Sequence, residues 1–188
     1  MKILLTGGAG YIGSHTCIAL VEAGFEPVVL DNFSNSHPVV LERLARILGR
    51  PVALEHGDVL DIPWLEDVFR RHRPVGVVHF AGDKSVGESV ANPLKYFHNN
   101  IGGAISLLQA MTRVEADGGM AGAPTLVFSS SATVYGDPAS VPITEDFPRS
   151  HTNTYGHTKL VIEDMLGAVQ RSAPHWRIGV LRYFNPVG

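Results

Sequence analysis

The sequence predicts an α/β fold: a doubly wound parallel sheet held between helices in three α/β/α layers. Two observations predict it. Short apolar runs alternate with longer segments of helical periodicity along the whole chain, and such alternation implies parallel strands covered on both faces. A glycine cluster follows the first apolar run at once and opens the first helical segment.

Each element follows from local pattern. Residues 2–6 are an apolar run ended by glycines, which reads as a buried strand. Residues 12–23 set Ile12, Ala19, Leu20 and Ala23 at helical spacing, and Gly24 stops them. Residues 27–30 are the second strand, with Asp31 at its end. A helix over 39–48, a strand over 52–55 and a helix over 64–71 come next. Residues 75–80 are a strongly apolar strand, and 93–114 read as one long helix with Leu94, Ile101, Ile105 and Leu108 on one face. Gly118, Gly119 and Gly122 make a surface loop before a strand at 125–128. A helix over 155–170 and a strand over 178–181 complete the pattern. Right-handed crossovers place ligands beyond the carboxyl ends of such strands. Gly7, Asp31, Asp58, Phe80, Ser129 and Arg182 should therefore meet on one rim.

Composition narrows the function. A chain of 188 residues suggests one domain and buries roughly 70% of its unfolded surface. The hydrophobic fraction of 45% and charged fraction of 18% are those of an ordinary soluble domain. A net charge of −3 offers no broad basic field for nucleic acid or an acidic membrane. The single cysteine, Cys17, excludes an internal disulfide and fits a reducing, cytoplasmic setting. The first apolar run is too short for a signal-peptide core or a membrane span. The 9 histidines are scattered without metal-ligand spacing, so no metal site is expected.

The chemistry begins in the glycine cluster. Gly7, Gly10 and Gly13 stand at GxxGxxG spacing between a strand and a helix. Gly7 permits a tight turn, Gly10 removes a side chain that would block a phosphate, and Gly13 lets the helix press on the strand. Free N–H groups at the helix start then suit a pyrophosphate. Asp31, about 20 residues on, suits the hydroxyls of an adenosine ribose. No Arg or Lys occurs between Asp31 and Glu42 to neutralise a 2′-phosphate, so NAD is favoured over NADP. Asp58 reads equally well as a partner of the adenine amino group or as a turn cap.

Tyr155 and Lys159 stand at i and i+4, on one helix face. Alcohol oxidation needs a base near neutral pH, and a free tyrosine ionises only near about 10. A nearby Lys cation and a positive nicotinamide ring would both favour the phenolate. Ser131, after a strand, suits a hydrogen bond to the same substrate oxygen.

The segments TGGAGYIG and YxxxK with an upstream serine resemble the extended short-chain dehydrogenase/reductases, a Rossmann-fold family. GGAGYIGSHT, DNFSNS, HFAGDKSVGES, FSSSATVYGD and LRYFNPVG narrow the resemblance to the UDP-glucose 4-epimerase family within it. The resemblance implies transient oxidation at C4 of a UDP-hexose, as in galactose metabolism. Tyr155 would be the base, Lys159 would hold the nicotinamide ribose and tune Tyr155, and Ser131 would assist proton movement. It implies NAD contacts from Tyr11, Ile12, Asp31, Asn32, Asn35 and Ser36. It adds Asp58, Val59, Phe80, Ala81, Lys84, Asn99 and Phe184 to that set. Asn185, with Ser131 and Tyr155, would touch the UDP-sugar. A homodimer through a four-helix interface is also implied by the resemblance alone.

Two departures matter. Asp83 stands where the family usually has an apolar residue within FAGxK. It would weaken pyrophosphate binding unless it points outward or pairs with Lys84. Family members also carry a C-terminal substrate domain, so residues 1–188 are expected to be the NAD-binding domain alone, a truncated form with little activity by itself. Other UDP-sugar 4-epimerases remain alternatives. A nucleotide-sugar 4,6-dehydratase fits less well, because residues 131–134 offer no carboxylate for eliminating water. A non-catalytic NAD-binding module has no need of Ser131, Tyr155 and Lys159.

Overall fold

The computed structural model describes residues 1–187; Gly188, the last residue of the LRYFNPVG segment and of the expected domain, lies outside the described residues. The chain runs β1 (Lys2–Thr6), α1 (Tyr11–Glu22), β2 (Glu26–Asp31), α2 (Val39–Leu48), β3 (Ala53–His56) and α3 (Ile62–His72). It continues through β4 (Gly76–His79), α4 (Val86–Ala91), α5 (Pro93–Tyr96), a π-helical segment (Phe97–Gly102), α6 (Gly103–Ala116) and β5 (Thr125–Ser131). A 3₁₀ turn (Ala132–Val134), α7 (Thr154–Ser172) and β6 (Arg177–Tyr183) follow.

The strands form one 6-stranded sheet in the order β3-β2-β1-β4-β5-β6. Every neighbouring pair is parallel. The strand order turns back between β1 and β4, which makes the carboxyl ends of those strands the switch point where α/β sheets take their ligands. Thr6 and His79 end these strands, and the Thr6 hydroxyl and His79 Nδ1 meet across them at 2.6 Å.

Period-two alternation divides the core into two layers. Leu4 of β1 and Val28 and Leu30 of β2 pack in a cluster with Phe69 of α3, Leu107 of α6 and Ile162 of α7. Leu5 of β1 and Val29 of β2 point the other way, to Cys17 of α1 and Leu44 of α2. The three-layer expectation therefore holds residue by residue along the central strands. Among the described residues no helix is long and apolar enough to cross a membrane.

The long helix expected over 93–114 is the main correction. It is α5, a π-helical segment and α6 in succession. A π turn accommodates an extra residue and shifts every later side chain around the axis. Of the expected face, Leu108 reaches the core and Ile101 packs against it, while Leu94 is 80% exposed and Ile105 39% exposed; Leu107, Met111 and Val114 complete the buried side of α6. Gly103 lets the helix sit close to the third crossover: a Cβ there would lie 2.8 Å from Val59 Cγ2. Sequence periodicity also passed over α4. Its signal was present in Ser85-x-x-Glu88, where the Ser85 hydroxyl accepts the Glu88 N–H at 3.3 Å.

Candidate active site

The loop between β1 and α1 is shaped by what its glycines lack. Gly7 has φ +67, and a Cβ on it would lie 2.7 Å from Ala81 N. A Cβ on Gly13 would lie 2.6 Å from Gly7 O and 2.7 Å from Gly8 Cα, so only glycine lets α1 approach the loop this closely. Gly10 differs, because its added Cβ would meet only Gly7 O, at 3.2 Å, and otherwise face the cavity. Gly10 is also the N-cap of α1, with no side-chain cap on the first N–H groups. These donors and the helix dipole make the loop a cradle for an anion.

Asp31 anchors the loop from β2. Its Oδ2 accepts the Ala9 N–H at 2.9 Å. Its Oδ1 accepts the Phe33 N–H at 2.9 Å and the Ser36 hydroxyl at 2.8 Å. Oδ2 keeps a lone pair for a further donor. Ser36 is therefore a partner of Asp31 and does not line the cavity. Asp58 accepts from Asn32 Nδ2 at 2.8 Å through Oδ2 and from the Leu60 N–H at 2.9 Å through Oδ1, and each oxygen keeps a lone pair for a further donor. The bond to Leu60 is a turn cap and is compatible with either role read from the sequence.

At the other end of the cavity, α7 packs on β5. The Asn153 side chain caps the helix by accepting the Gly156 N–H at 2.8 Å. Tyr155 and Lys159 then project on one face. Lys159 is buried, and its Nζ donates to Ser129 O at 2.8 Å and sits 4.9 Å from the Phe128 ring centroid. Burial pushes its ammonium down to about 8. Burial also raises the Tyr155 phenol above its ordinary value, with the neighbouring Ser131 hydroxyl pulling it back. The ammonium lies 5.8 Å from the Tyr155 ring centroid and gives one of its three N–H groups to a backbone carbonyl. His79, beneath this end, is held neutral: burial, then the Lys159 charge, push it down to about 3.

The π segment joins the two ends. Its Asn99 lines the cavity. The next residue, Asn100, is buried and holds residue 83 from both sides: Oδ1 accepts the Asp83 N–H at 2.7 Å and Nδ2 donates to Asp83 O at 3.0 Å. Asn100 Nδ2 also reaches Thr158 Oγ1 on α7 at 3.1 Å. No local pattern marks Asn100, whose partners are distant in sequence. Asp83 itself neither points to solvent nor pairs with Lys84. It is buried, faces Lys95 Nζ at 3.7 Å, and lies off the cavity wall.

These elements enclose a cavity of ≈ 450 Å³ along the switch point, a size suited to a small-molecule ligand. Gly7, Gly10, Tyr11, Ile12 and Gly13 line it at the cradle. Asp31, Asn32, Asn35 and Val59 line it at the β2–β3 side, with Phe80, Ala81, Lys84 and Asn99 across the middle. Ser131, Tyr155, Lys159, Phe184 and Asn185 close the far end. Its charged walls are Asp31, Lys84 and Lys159, an acid at one end and cations elsewhere. Thr133 and Tyr183 also line it and were not singled out from sequence. Arg182, expected on the rim, instead turns to Glu163 and Tyr135. Among the described residues no group of ≥ 3 His, Cys, Asp or Glu is placed to hold a metal ion.

Comparison with known proteins agrees with this geometry. The chain is 50% identical over 187 residues to the UDP-glucose 4-epimerase of Dictyostelium discoideum, covering 100% of this chain and 52% of that protein. It is 50% identical over 188 residues to the UDP-glucose 4-epimerase of Bacillus subtilis (strain 168), covering 100% and 53%. The chain thus spans about half the length of the curated relatives it matches. The UDP-glucose 4-epimerase of Bifidobacterium longum, solved in complex with NAD+ and UDP, superposes with a TM-score of 0.93 at 46% identity, covering 100% of this chain and 54% of that one. Residues 3–188 match the NAD dependent epimerase/dehydratase family, and the chain belongs to it.

Proposed function

We propose that residues 1–188 are the NAD-binding domain of an enzyme that inverts C4 of a UDP-hexose, UDP-glucose or UDP-galactose, by transient oxidation. The carrying observation is that Tyr155, Lys159 and Ser131 line the same cavity as the glycine cradle. The cradle fits a dinucleotide: Gly10 leaves room where any Cβ would enter the cavity, and the α1 N–H groups above it lack side-chain caps. Gly7, Gly10 and Gly13 would hold the pyrophosphate, Asp31 the adenosine ribose, and Lys159 the nicotinamide ribose. Bound there, NAD+ supplies a reversible hydride acceptor. Tyr155 takes the proton of the substrate hydroxyl as its carbon is oxidised and returns it on reduction, and Ser131 orients that oxygen. Asn185 would touch the sugar, and Phe184 the cofactor. Dehydration is disfavoured because the nearby carboxylate, Glu163, is tied to Arg149 and Arg182. The exposed Leu94 and Ile105 supply apolar surface for a homodimer, and the buried, unpaired Cys17 suits a cytoplasmic setting.

The test adds UDP-glucose or UDP-galactose to the NAD+-loaded chain and follows NADH absorbance. Appearance of reduced cofactor supports the reading. Bound NAD+ and bound UDP-sugar without reduction would mark a non-catalytic binding module. The glycines give a sharper check on the cradle. Gly13→Ala should lower stability by about 2 kcal/mol, since its methyl meets backbone that cannot yield. Gly10→Ala should change stability by less than about 1 kcal/mol. It should weaken NAD+ by roughly tenfold, the cost of a methyl where the phosphate must approach. Urea denaturation and calorimetric titration separate the two effects.

A further inference from the structure

Tyr155, Lys159 and Glu163 stand at i, i+4 and i+8 of α7 and share one face. Lys159 and Glu163 bond to the serine run that ends β5, and Tyr155 shares the cavity with its last member. Ser131 lines the cavity beside Tyr155, and its hydroxyl accepts from the Thr133 N–H at 3.2 Å and the Thr133 hydroxyl at 3.0 Å. Ser129 O accepts Lys159 Nζ at 2.8 Å. The Ser130 hydroxyl donates to Glu163 Oε1 at 2.6 Å. The Glu163 side chain is 4% exposed and its other acceptor sites are filled. Arg182 donates from Nε to Oε1 at 3.0 Å and from Nη2 to Oε2 at 2.8 Å. Arg149 Nη1 reaches Oε2 at 3.2 Å. Arg182 also donates to the Tyr135 hydroxyl at 2.6 Å.

A buried carboxylate with two guanidinium partners is an expensive way to gain stability, because apolar packing does as well or better. What the group achieves is placement. It gathers the end of β5, the end of β6 just before the cavity residues Tyr183 and Phe184, and the segment leading into α7. We propose that Glu163 is a positioning residue that holds Ser130, and through it Ser131, in register with the Tyr155 hydroxyl. This rests on the reading of Tyr155 as the acid–base group.

The test is an ultraviolet difference titration of the tyrosines in the unliganded chain, repeated with NAD+, and Tyr155→Phe identifies the Tyr155 component. The groups facing Tyr155 are Lys159 on its own helix and Ser131 on β5. Loss of register moves the Ser131 hydroxyl, which opposes the burial-driven rise of the phenol, away from Tyr155, so in Glu163→Gln and Ser130→Ala the phenol should titrate about half to one pH unit higher. The double variant should move it little further, because both changes break one link. Ser130→Ala removes a single hydroxyl and leaves both Arg–carboxylate pairs, so it decides the matter even where Glu163→Gln folds poorly. A lowered thermal midpoint with the Tyr155 titration unmoved in both variants would overturn the proposal. Failure of the wild-type chain to bind NAD+ would strike the functional reading instead, and the unliganded titration would still judge the clamp.

Discussion

Tyr155→Phe is expected to slow reduction of bound NAD+ by a UDP-hexose by about 10²–10⁴-fold, the range for losing a positioned acid–base group. NAD+ affinity should stay within a few-fold, because the cradle and Asp31 lie at the other end of the cavity. Single-turnover NADH formation and calorimetric titration of NAD+ measure the two quantities. The state of the phenol sets the pH dependence. Burial raises Tyr155 above its ordinary value, Ser131 opposes this, and the Lys159 ammonium is engaged with Ser129 O. At neutral pH the phenol therefore keeps its proton in the unliganded chain. A base that must be ionised to act gains activity as pH rises toward its pKa, so the rate should climb through the mildly alkaline range. A rate flat in pH, or a Phe variant within tenfold of wild type, would remove Tyr155 from the chemistry.

The parts of this site readable in sequence are those fixed by short-range geometry. Gly7 and Gly13 are dictated by backbone atoms within the same strand–turn–helix unit and by the adjoining strand, so spacing alone located them. Tyr155 and Lys159 lie one helical turn apart, and no tertiary information was needed to place them on one face. The strand–helix alternation likewise gave the layers, since Leu4 and Leu5 diverge to opposite cores by period alone. What escaped depends on distant partners. Asn100 serves Asp83 and Thr158, separated by 17 and 58 residues, and Glu163 serves Arg182 across 19. Their spacing carries no period. The π segment interrupts the single helix expected there, and only Ile101 and Leu108 of its expected face meet the core. Asp58 and Ser36, expected at the cofactor from the resemblance, also brace Asn32 and Asp31, a support that no local pattern announced.

Lys159 should show function and stability opposed. Its ammonium is moved by burial from 10.5 to about 8. A displacement of that size corresponds to about 3 kcal/mol against the charged form at neutral pH. The bond to Ser129 O and the proximity of the Phe128 ring do not cancel this. Lys159→Met, similar in length and without charge, should therefore raise stability at pH 7 by about 1–3 kcal/mol, after allowance for the lost hydrogen bond. The sign with pH is fixed by linkage. Between about 8 and 10.5 the unfolded chain binds the proton that the folded chain has released, so wild-type stability from this group rises with pH. The advantage of the Met variant should accordingly be largest below pH 8 and shrink toward pH 10, a trend that urea denaturation at several pH values would reveal. The same variant should lose the hold on the nicotinamide ribose and reduce cofactor turnover at least about tenfold. A variant both less stable and equally pH-dependent would show that the lysine is kept for packing. A more stable and inactive one would show that the fold tolerates a buried cation because the chemistry requires it.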